Sequence, residues 1–396
     1  MKEEERYYIR LLSDYVHQRE SETPGQTAEW DKIAGYAKEQ NTAGIIWYQI
    51  KDMDIPEQVR EELKSGFMSD VYLSVNSEYA LEEIKALFDN RQIDCMPFKG
   101  TLIKDSYPHP ELRTMGDRDI LIRHEDRKKS DEVMMSLGYS KFVDNHAVWT
   151  YCRKHLMFEI HDVMFYEELS NQTDYREYFK SIWDSAERKE GCCYIPDRNK
   201  HFIYMMVHTA KHVTNKGMGF RAFLDMVFFS INEKADWNMI TEELKKLELY
   251  EFACICFSLC EYWFDVKMPF HKETPDKEFM EYVTEKMFRD GIFGLTNKEN
   301  TEGNSAKQIR RSEHGYTQTA IKMTVKKLFP PYRDMQLIPW YRWVDGKPWL
   351  MPAAWVYRWG YCIKNKGRES RALLAEPFRR RKEIEEREKY LEHWGL

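Results

Sequence analysis

The sequence predicts an α+β fold, in which a small mixed sheet is wrapped by helices from both ends of the chain. Residues before 91 and after 166 repeat apolar side chains at helical spacing, whereas residues 91–166 alternate short apolar runs with one helical run. The length of 396 residues allows two to three domains. With 42% apolar and 32% charged residues, the composition is that of a globular protein and excludes wholesale disorder.

Residues 1–90 are predicted to form an N-terminal helical region. Apolar residues from Tyr7 to Tyr15 fall at spacings that suit an amphipathic helix. The stretch from Pro56 to Asn90 keeps the same period and contains no further proline. It therefore predicts one long helix, or two helices stacked end to end.

Residues 91–166 are predicted to form the α/β core. Its first apolar run, residues 93–98, ends in Lys-Gly-Thr, which is typical of a strand that runs into the start of a helix. The order of elements after that turn alternates strand and helix. We predict a strand over 116–122, a helix over 126–137, and strand-like runs over 147–151 and 156–165.

Residues 167–327 are predicted to form a helical domain that completes the cleft. Periodicity indicates four helices, near 199–213, 219–233, 238–264 and 276–290. The polar stretch 296–315 is rich in Asn, Gly, Glu, Ser and Lys, which predicts a loop.

Residues 328–396 are predicted to be an aromatic-rich segment followed by a charged C-terminal helix. Five of the twelve Trp lie close together in it, at Trp340, Trp343, Trp349, Trp355 and Trp359. Trp, Tyr and Arg interleaved with Pro are typical of membrane interfaces and of protein interfaces. Two interpretations stay open: rings that pack over the helical domain, or a peripheral membrane or protein contact through residues 340–359.

Charge and composition exclude several classes of protein. Sixty basic and 66 acidic side chains give a net charge of -6, which argues against a general nucleic-acid coat. Eight Cys contain no C-x-x-C pair, so a zinc ribbon is not expected. The N-terminus lacks the apolar stretch of a signal peptide, and no window approaches 18 apolar residues. We expect a cytoplasmic protein without a transmembrane segment, with a membrane-peripheral location as the alternative.

Three carboxylates carry the chemistry that the sequence indicates. Asp117 and Asp119 are two residues apart on a predicted strand, so they project from the same face. Two such carboxylates repel each other unless a cation lies between them, and Mg²⁺ prefers oxygen ligands of this kind. Glu159 lies between apolar neighbours on a third strand, where an acid is costly unless it is paired or metal-bound. The alternatives are a solvated turn for the Asp pair and a salt-bridged strand residue for Glu159.

The turn before these carboxylates predicts an anion site. At Lys99-Gly100-Thr101, free backbone N–H groups, a flexible glycine, a hydroxyl and a positive charge are brought together. The alternative for the turn is an ordinary helix start.

A histidine pair lies in the helical domain. His208 and His212 are four residues apart and share a helix face. The Glu of an H-E-x-x-H zinc motif is missing and no third ligand is evident. We therefore interpret the pair as core or supporting packing.

Four further polar residues receive weaker assignments. We interpret His161 as structural and place it on the strand face opposite Glu159. Asp225 can cap its helix or pair with Arg221, four residues earlier. Lys211 and Asp225 are minor candidates for lining the cleft.

The segment FKGTLIKDSYPHPELRTMGDRDILI, residues 98–122, resembles an uncharacterised bacterial nucleotidyltransferase family of the DNA polymerase beta-like superfamily. The shared features are a Lys-Gly turn, a Tyr-Pro, an Arg and a Gly-Asp-x-Asp. The resemblance is tight over 96–122 and loose over 30–360. Thr101 stands where the superfamily usually has Gly or Ser, and Arg118 stands where an apolar residue is more usual.

The resemblance implies Mg²⁺-dependent transfer of a nucleoside monophosphate from a nucleoside triphosphate, with release of pyrophosphate. Glu159 would also help to deprotonate the acceptor hydroxyl. The implied metal ligands, for two Mg²⁺ ions, are Asp117, Asp119 and Glu159. The implied nucleotide-binding residues are Lys99, Gly100, Thr101 and Arg113.

The acceptor is predicted only by class. Because no basic stripe is visible, a small molecule, a sugar or a protein is favoured over nucleic acid. One alternative function is a catalytically silent module that binds nucleotide. Another is a scaffold that recruits a partner or a membrane through its Trp-rich C-terminal segment. An intact set of three carboxylates favours the enzyme.

Overall fold

A computed structural model of the protein describes most of the chain, and the described residues form two compact units. The first comprises Met1–Glu168, Thr173–Leu295 and Trp394–Leu396, and the second Leu169–Gln172 and Thr296–His393. The described residues are 1–24, 29–144, 147–169, 171, 173–215, 217–273, 276–291, 305, 307–309, 312, 315–335, 339–344, 346–379 and 381–396. Most of the predicted loop 296–315 lies outside them.

The N-terminal region is helical, as predicted. Its four helices are α1 (Glu3–Val16), α2 (Trp30–Glu39), α3 (Ala43–Ile50) and α4 (Glu57–Asn90). Helix α4 is one continuous helix of 34 residues that starts directly after Pro56. A proline at this position suits a helix start, and no later proline interrupts the hydrogen bonds.

A seven-stranded mixed sheet forms the centre of the first unit, which confirms the predicted α+β class. Its strands are β1 (Cys95–Phe98), β2 (Arg118–Ile122), β3 (Ser140–Asp144), β4 (Val148–Arg153), β5 (Leu156–His161), β6 (Glu187–Glu190) and β7 (Cys193–Ile195). The spatial order is β3-β4-β5-β2-β1-β7-β6. Strand β2 pairs antiparallel with β1 and parallel with β5, so it lies in the middle of the sheet.

Strands β6 and β7 extend the sheet into a stretch that the sequence predicted as helical. Strand β7 pairs parallel with β1, and β6 forms the edge. All four residues of β6, Glu-Arg-Lys-Glu, are exposed. A short charged edge strand has no alternation of apolar and polar residues, so periodicity cannot detect it.

The two faces of the sheet differ because side chains alternate along each strand. Ile120 and Ile160 lie in the main core with residues of α4 and of helix α6, Arg127–Ser136. A period of two therefore places Asp119, Glu159 and His161 on the other face.

The remaining helices of the first unit include those predicted near 199–213, 219–233 and 276–290. They are the single turns α5 (Gly100–Ile103) and α7 (Tyr175–Tyr178), and the longer helices α8 (Arg198–Asn215), α9 (Phe220–Asn232), α10 (Trp237–Lys246), α11 (Tyr250–Phe264) and α12 (Lys277–Asp290). Short 3-10 turns lie at Lys104–Ser106, Pro110–Leu112, His124–Asp126 and Phe179–Ser185. The single helix predicted over 238–264 is two helices, because Glu248 adopts a left-handed φ of 57°.

Among its described residues after 315, the second unit is mainly helical. Its elements are α13 (Tyr316–Leu328), α14 (Tyr332–Met335), α15 (Met351–Arg379) and α16 (Arg381–His393), with 3-10 turns at Pro339–Val344 and Pro348–Leu350. Helix α16 confirms the predicted charged C-terminal helix. A small core holds the turns together, formed by Met335, Tyr341, Val344, Met351 and Ala354.

The clustered Trp residues take different positions in this unit. The indole N–H groups of Trp355 and Trp359 donate to the carbonyls of Pro330 and Leu328 at 2.9 and 2.8 Å. Trp349 is 70% exposed, and the side chain of Trp340 lies outside the described part. Membrane or partner contact through 340–359 therefore stays a prediction.

None of the described helices is long and apolar enough to span a membrane.

Candidate active site

The sheet register brings three distant segments to one point. Asp119 on β2 is the register partner of Glu159 on β5 and of Phe98 on β1. Phe98 is followed by Lys99, so the end of β1 lies beside the carboxylates. Local spacing predicted the Asp pair, and the pairing of β2 with β5 adds the third carboxylate.

His161 belongs to this group, and its predicted position was wrong. Its Nε2 lies 2.9 Å from Oδ1 of Asp119 and 3.4 Å from Oε2 of Glu159. Because Glu159 and His161 are two residues apart on a strand, they share a face. That spacing was visible in the sequence and would have found the residue.

The cluster could hold a divalent cation. Among the described residues, ligand atoms of Asp119, Glu159 and His161 all lie within 4.8 Å of one another, and Asp117 is not part of that group. The Nδ1 of His161 is buried without a hydrogen-bond partner among the described atoms. Carboxylate oxygens suit Mg²⁺, and a mixture of oxygens with an imidazole nitrogen also suits transition metals such as Mn²⁺. The donor set thus fits the implied metal and adds His161 to the predicted ligands.

Lys99 contacts the same carboxylate. Its Nζ lies 2.6 Å from Oδ1 of Asp119, and both side chains are largely buried. The Lys99 backbone has φ 55° and ψ -134°, a conformation that residues other than glycine rarely adopt. This strained turn joins β1 directly to α5.

The two aspartates have opposite pKa shifts. Burial by itself would raise the pKa of Asp119, but Lys99 and His161 outweigh it and lower that pKa to about 2. Burial, and then the charge of Asp119, raise the pKa of Asp117 to about 6. Burial would also raise the pKa of Glu159, but the hydrogen bond with His161 contributes to a lowered value. Asp119 and Glu159 are therefore ionised at neutral pH, and Asp117 loses its proton last.

A cleft of about 180 Å³, here called the main cleft, lies beside the carboxylates. Five of the predicted site residues line it: Lys99, Gly100, Arg113, Asp117 and Asp119. Helices α8 and α9 contribute the opposite wall, including His208, His212, Arg221 and Asp225. Thr101 is buried outside the lining, and its hydroxyl has no hydrogen-bond partner in the described part of the chain.

Arg113 is held in the wall of the main cleft by Asp225. Its Nε and Nη2 donate to the two carboxylate oxygens at 3.1 and 2.6 Å, and the Tyr107 hydroxyl donates to Oδ1 at 2.6 Å. Asp225 thus pairs with Arg113, whereas the sequence offered Arg221 as its partner. Arg221 donates instead to the carbonyl and hydroxyl of Thr114, both at 2.9 Å.

Gly100 is required by the position of Arg113. A Cβ built on Gly100 would overlap the guanidinium group of Arg113. The glycine predicted to let a phosphate approach therefore also makes room for a buried cation.

The histidine pair faces the main cleft. The Nε2 atoms of His208 and His212 are 2.9 Å apart, so one ring donates a hydrogen bond and the other accepts it. Burial, together with the charge of His212, holds the pKa of His208 well below its usual range. The sequence indicated packing for this pair, and the structure places both rings in the cleft lining instead.

A second cavity of about 170 Å³ lies next to the main cleft. Lys99 and Tyr204 line both spaces, whereas Glu159 and His161 line only the second. Lys211 lies in the second cavity and pairs with Glu167 at 3.2 Å. The carboxylates are therefore divided between two neighbouring spaces: Asp117 and Asp119 line the main cleft, and Glu159 lines the second cavity.

The sequence model of a family described as "Uncharacterised nucleotidyltransferase" matches residues 26–265, more than half of the chain. The chain belongs to this family. The match includes every predicted site residue from Lys99 to Glu159, and it confirms the resemblance at the level of a nucleotidyltransferase family. No curated protein and no solved structure matches the chain.

The geometry suits the chemistry of this nucleotidyltransferase family. The ionised carboxylates of Asp119 and Glu159, on neighbouring strands, can bind a divalent cation. The main cleft carries cationic side chains close to Asp119. Phosphate oxygens are stabilised by such cations, with Arg able to bind two oxygens at once.

Proposed function

We propose that the protein transfers a nucleoside monophosphate from a nucleoside triphosphate to a hydroxyl or phosphate of a small-molecule, sugar or protein acceptor, and releases pyrophosphate. The mechanism is that of the DNA polymerase beta-like superfamily. The observation that carries this proposal is the register between Asp119 and Glu159, with the Lys99 ammonium 2.6 Å from Asp119. Membership of a nucleotidyltransferase family supports it.

Asp117, Asp119 and Glu159 hold the divalent metal in this proposal, and His161 is an additional donor. Bound Mg²⁺, as two ions, would neutralise phosphate charge and stabilise the attacking and leaving oxygens. The ionised state of Asp119 at neutral pH favours cation binding.

Lys99, Gly100, Thr101 and Arg113 form the triphosphate site of the proposal. Lys99 lines the main cleft, so its ammonium can contact a phosphate oxygen while it stays near Asp119. Arg113 is oriented in advance by Asp225, which reduces the entropy lost when a phosphate binds. Thr101 lies behind the lining of the main cleft, in the first turn of α5, and belongs to the proposed triphosphate site as part of that turn.

The chemical step is an in-line displacement at the α-phosphorus. The acceptor oxygen forms the new O–P bond, and the bond from the α-phosphorus to the bridging oxygen breaks with its electron pair on pyrophosphate. The proton of an acceptor hydroxyl passes to a carboxylate oxygen of Glu159. The Thr150 hydroxyl donates to Oε1 of Glu159 at 3.3 Å and so helps to orient that carboxylate.

A thermal shift with each of the four ribonucleoside triphosphates, with and without Mg²⁺, tests the proposal. At about 100 times its Kd, a ligand stabilises the fold by about 2.7 kcal/mol. We expect a Mg²⁺-dependent rise in Tm with at least one nucleotide, and no rise for Asp119→Ala. Asp54→Ala is the matched control, because Asp52 and Asp54 form a second D-x-D, and both are exposed.

Three outcomes separate the functions that remain. A shift accompanied by pyrophosphate release supports the transferase. A shift without release under any acceptor condition favours the silent nucleotide-binding module. No shift with any nucleotide contradicts both and favours the scaffold.

A further inference from the structure

Two neighbouring spaces whose linings share Lys99 and Tyr204 suit a reaction with two substrates. The main cleft contains Arg113 and Arg221, which suit a triphosphate, whereas the second cavity contains Glu159. In-line displacement places the attacking and leaving oxygens on opposite sides of the phosphorus. With the triphosphate tail in the main cleft, the acceptor needs a separate space, and the second cavity is the neighbouring space that Glu159 lines.

We propose that the second cavity is the acceptor site and that it takes the hydroxyl of an uncharged, sugar-sized polyol. This inference rests on the proposed function and narrows its acceptor class. Glu159 lines the cavity and lies where it can receive the proton of that hydroxyl.

The charges of the lining favour a neutral ligand. The charged side chains of this lining, Lys99, Lys211, Glu159 and Glu167, each have a partner. Lys99 lies 2.6 Å from Asp119, and Glu159 lies 3.4 Å from His161. Lys211 and Glu167 are already paired at 3.2 Å, so neither charge calls for an opposite charge on the ligand. A paired Lys and Glu still offer a donor and an acceptor to hydroxyl groups.

The remaining walls favour a ligand with one apolar side. Val148, Met164 and Phe165 line the cavity and are each no more than 5% exposed. A sugar ring presents hydroxyl groups at its edge and C–H groups on its face, so it matches a cavity with polar and apolar walls.

The lining of the cavity opposes a nucleic-acid acceptor. Sites for single-stranded nucleic acid use a long basic groove with stacking aromatic rings. The balanced charges of this lining differ from such a groove.

Pyrophosphate release in the presence of single acceptors tests the class. The probes are glycerol, D-glucose, N-acetyl-D-glucosamine and myo-inositol, against D-glucose 6-phosphate and an oligonucleotide with a free 3′-hydroxyl. We expect an uncharged polyol to raise release about tenfold or more over water, because a positioned hydroxyl has a large effective concentration. Mass spectrometry should show that polyol carrying one nucleoside monophosphate. Stimulation by the phosphorylated sugar or the oligonucleotide alone, or by none of the probes, overturns the inference.

Lys211→Met and Glu167→Gln test the site itself. Each should raise KM for the polyol about tenfold, with kcat and the Kd for nucleotide changed less than about threefold, because ground-state contacts to the acceptor are lost. The matched control is Lys180→Met with Glu177→Gln, an exposed Lys–Glu pair at 3.4 Å. An unchanged KM, or a weakened Kd for nucleotide, contradicts the acceptor site.

The results distinguish a failure of the acceptor-site proposal from a failure of the proposed function. If the wild-type protein binds nucleotide with Mg²⁺ and releases pyrophosphate with a charged acceptor, the proposed function stands and the polyol site is wrong. If it neither binds nucleotide nor releases pyrophosphate, the proposed function fails, and the acceptor site fails with it.

Discussion

The two faces of strand β2 bury charge in different ways. On the face towards α4, Arg118 is 2% exposed, donates to Ser77 and to the Ser74 carbonyl, and lies 3.6 Å from Glu78. On the other face, Asp119 is 3% exposed and contacts Lys99 and His161. The first charge is enclosed by α4, whereas the second lines a cleft.

The two faces differ in whether a ligand can replace the residues that contact the buried charge. Arg118 contacts one helix of the same unit, so its interactions serve the fold. In the proposed function, Asp119 exchanges Lys99 for a metal ion or shares it with a phosphate, because the cleft gives a ligand access. Under that proposal, equal burial serves stability on one face of β2 and chemistry on the other. Three substitutions test this comparison.

Asp119→Asn should have the largest effect, on activity. The amide keeps the shape of the side chain but removes the charge that binds a cation. We expect kcat to fall about 10³-fold, as for the loss of a central electrostatic group. The fall in Tm should be smaller than that of Arg118→Ala. Steady-state pyrophosphate release and a thermal melt measure the two quantities. Activity within tenfold of the wild type would remove Asp119 from the proposed metal site.

Arg118→Ala should act on stability instead. It removes a buried side chain that packs against α4 and leaves Glu78 without that cation. We expect a loss of about 2–3 kcal/mol in the free energy of unfolding, at the lower end for a broken buried pair because Glu78 is 41% exposed. Arg118→Met, which keeps most of the packing, is the control and should lose less. Urea denaturation gives both values, and a drop in kcat without a drop in stability would reverse the roles of the two faces.

Asp70→Asn should have the smallest effect, and only over part of the pH range. Asp70 lies on α4, one turn before Ser74, and burial raises its pKa to about 6 despite a hydrogen bond from the Gly44 backbone. Between the unfolded value of 3.8 and about 6, the folded protein holds a proton that the unfolded chain releases, so stability falls as pH rises. Asparagine cannot ionise and avoids that loss.

The expected difference follows from this sign. Relative to the wild type, Asp70→Asn should match it near pH 4, gain stability up to pH 6, and keep a constant advantage above that. The full shift corresponds to about 3 kcal/mol at about 1.4 kcal/mol per pH unit, and partial solvent exposure reduces it to about 1–2 kcal/mol. Unfolding at pH 4, 5, 6 and 7 measures it. An advantage that is equal at all four values would mean that Asp70 is not the titrating group.

Periodicity predicted most of the fold and missed its edge. The long helix α4, the central strands β1, β2 and β5, and the helices α8 and α9 all carry strong apolar patterns, and each was predicted near its observed position. Strands β3, β6 and β7 were missed. Strand β6 is fully exposed and charged, and β7 has only three residues, so neither carries a pattern that the chain could show in advance.

The candidate site also contains residues that a local pattern predicts and residues that depend on tertiary contacts. Asp117, Asp119, Lys99 and Gly100 lie within one continuous motif, so local spacing was sufficient to select them. His161 was visible through its two-residue spacing from Glu159 but was placed on the wrong face. Its contact with Asp119 depends on the pairing of β2 with β5.

By itself, the sequence determined the family, the α+β class and the shared face of the Asp pair, because those depend on residue order and on the two-residue period of a strand. Only the tertiary structure decided that Asp225, 112 residues after Arg113, holds that guanidinium, and that Glu159 and Asp117 line different spaces. Such contacts depend on which strands pair and which helices pack against them. The pairing of strands and the packing of helices lower the free energy of the whole chain, and they do not appear as a pattern in the local spacing of residues.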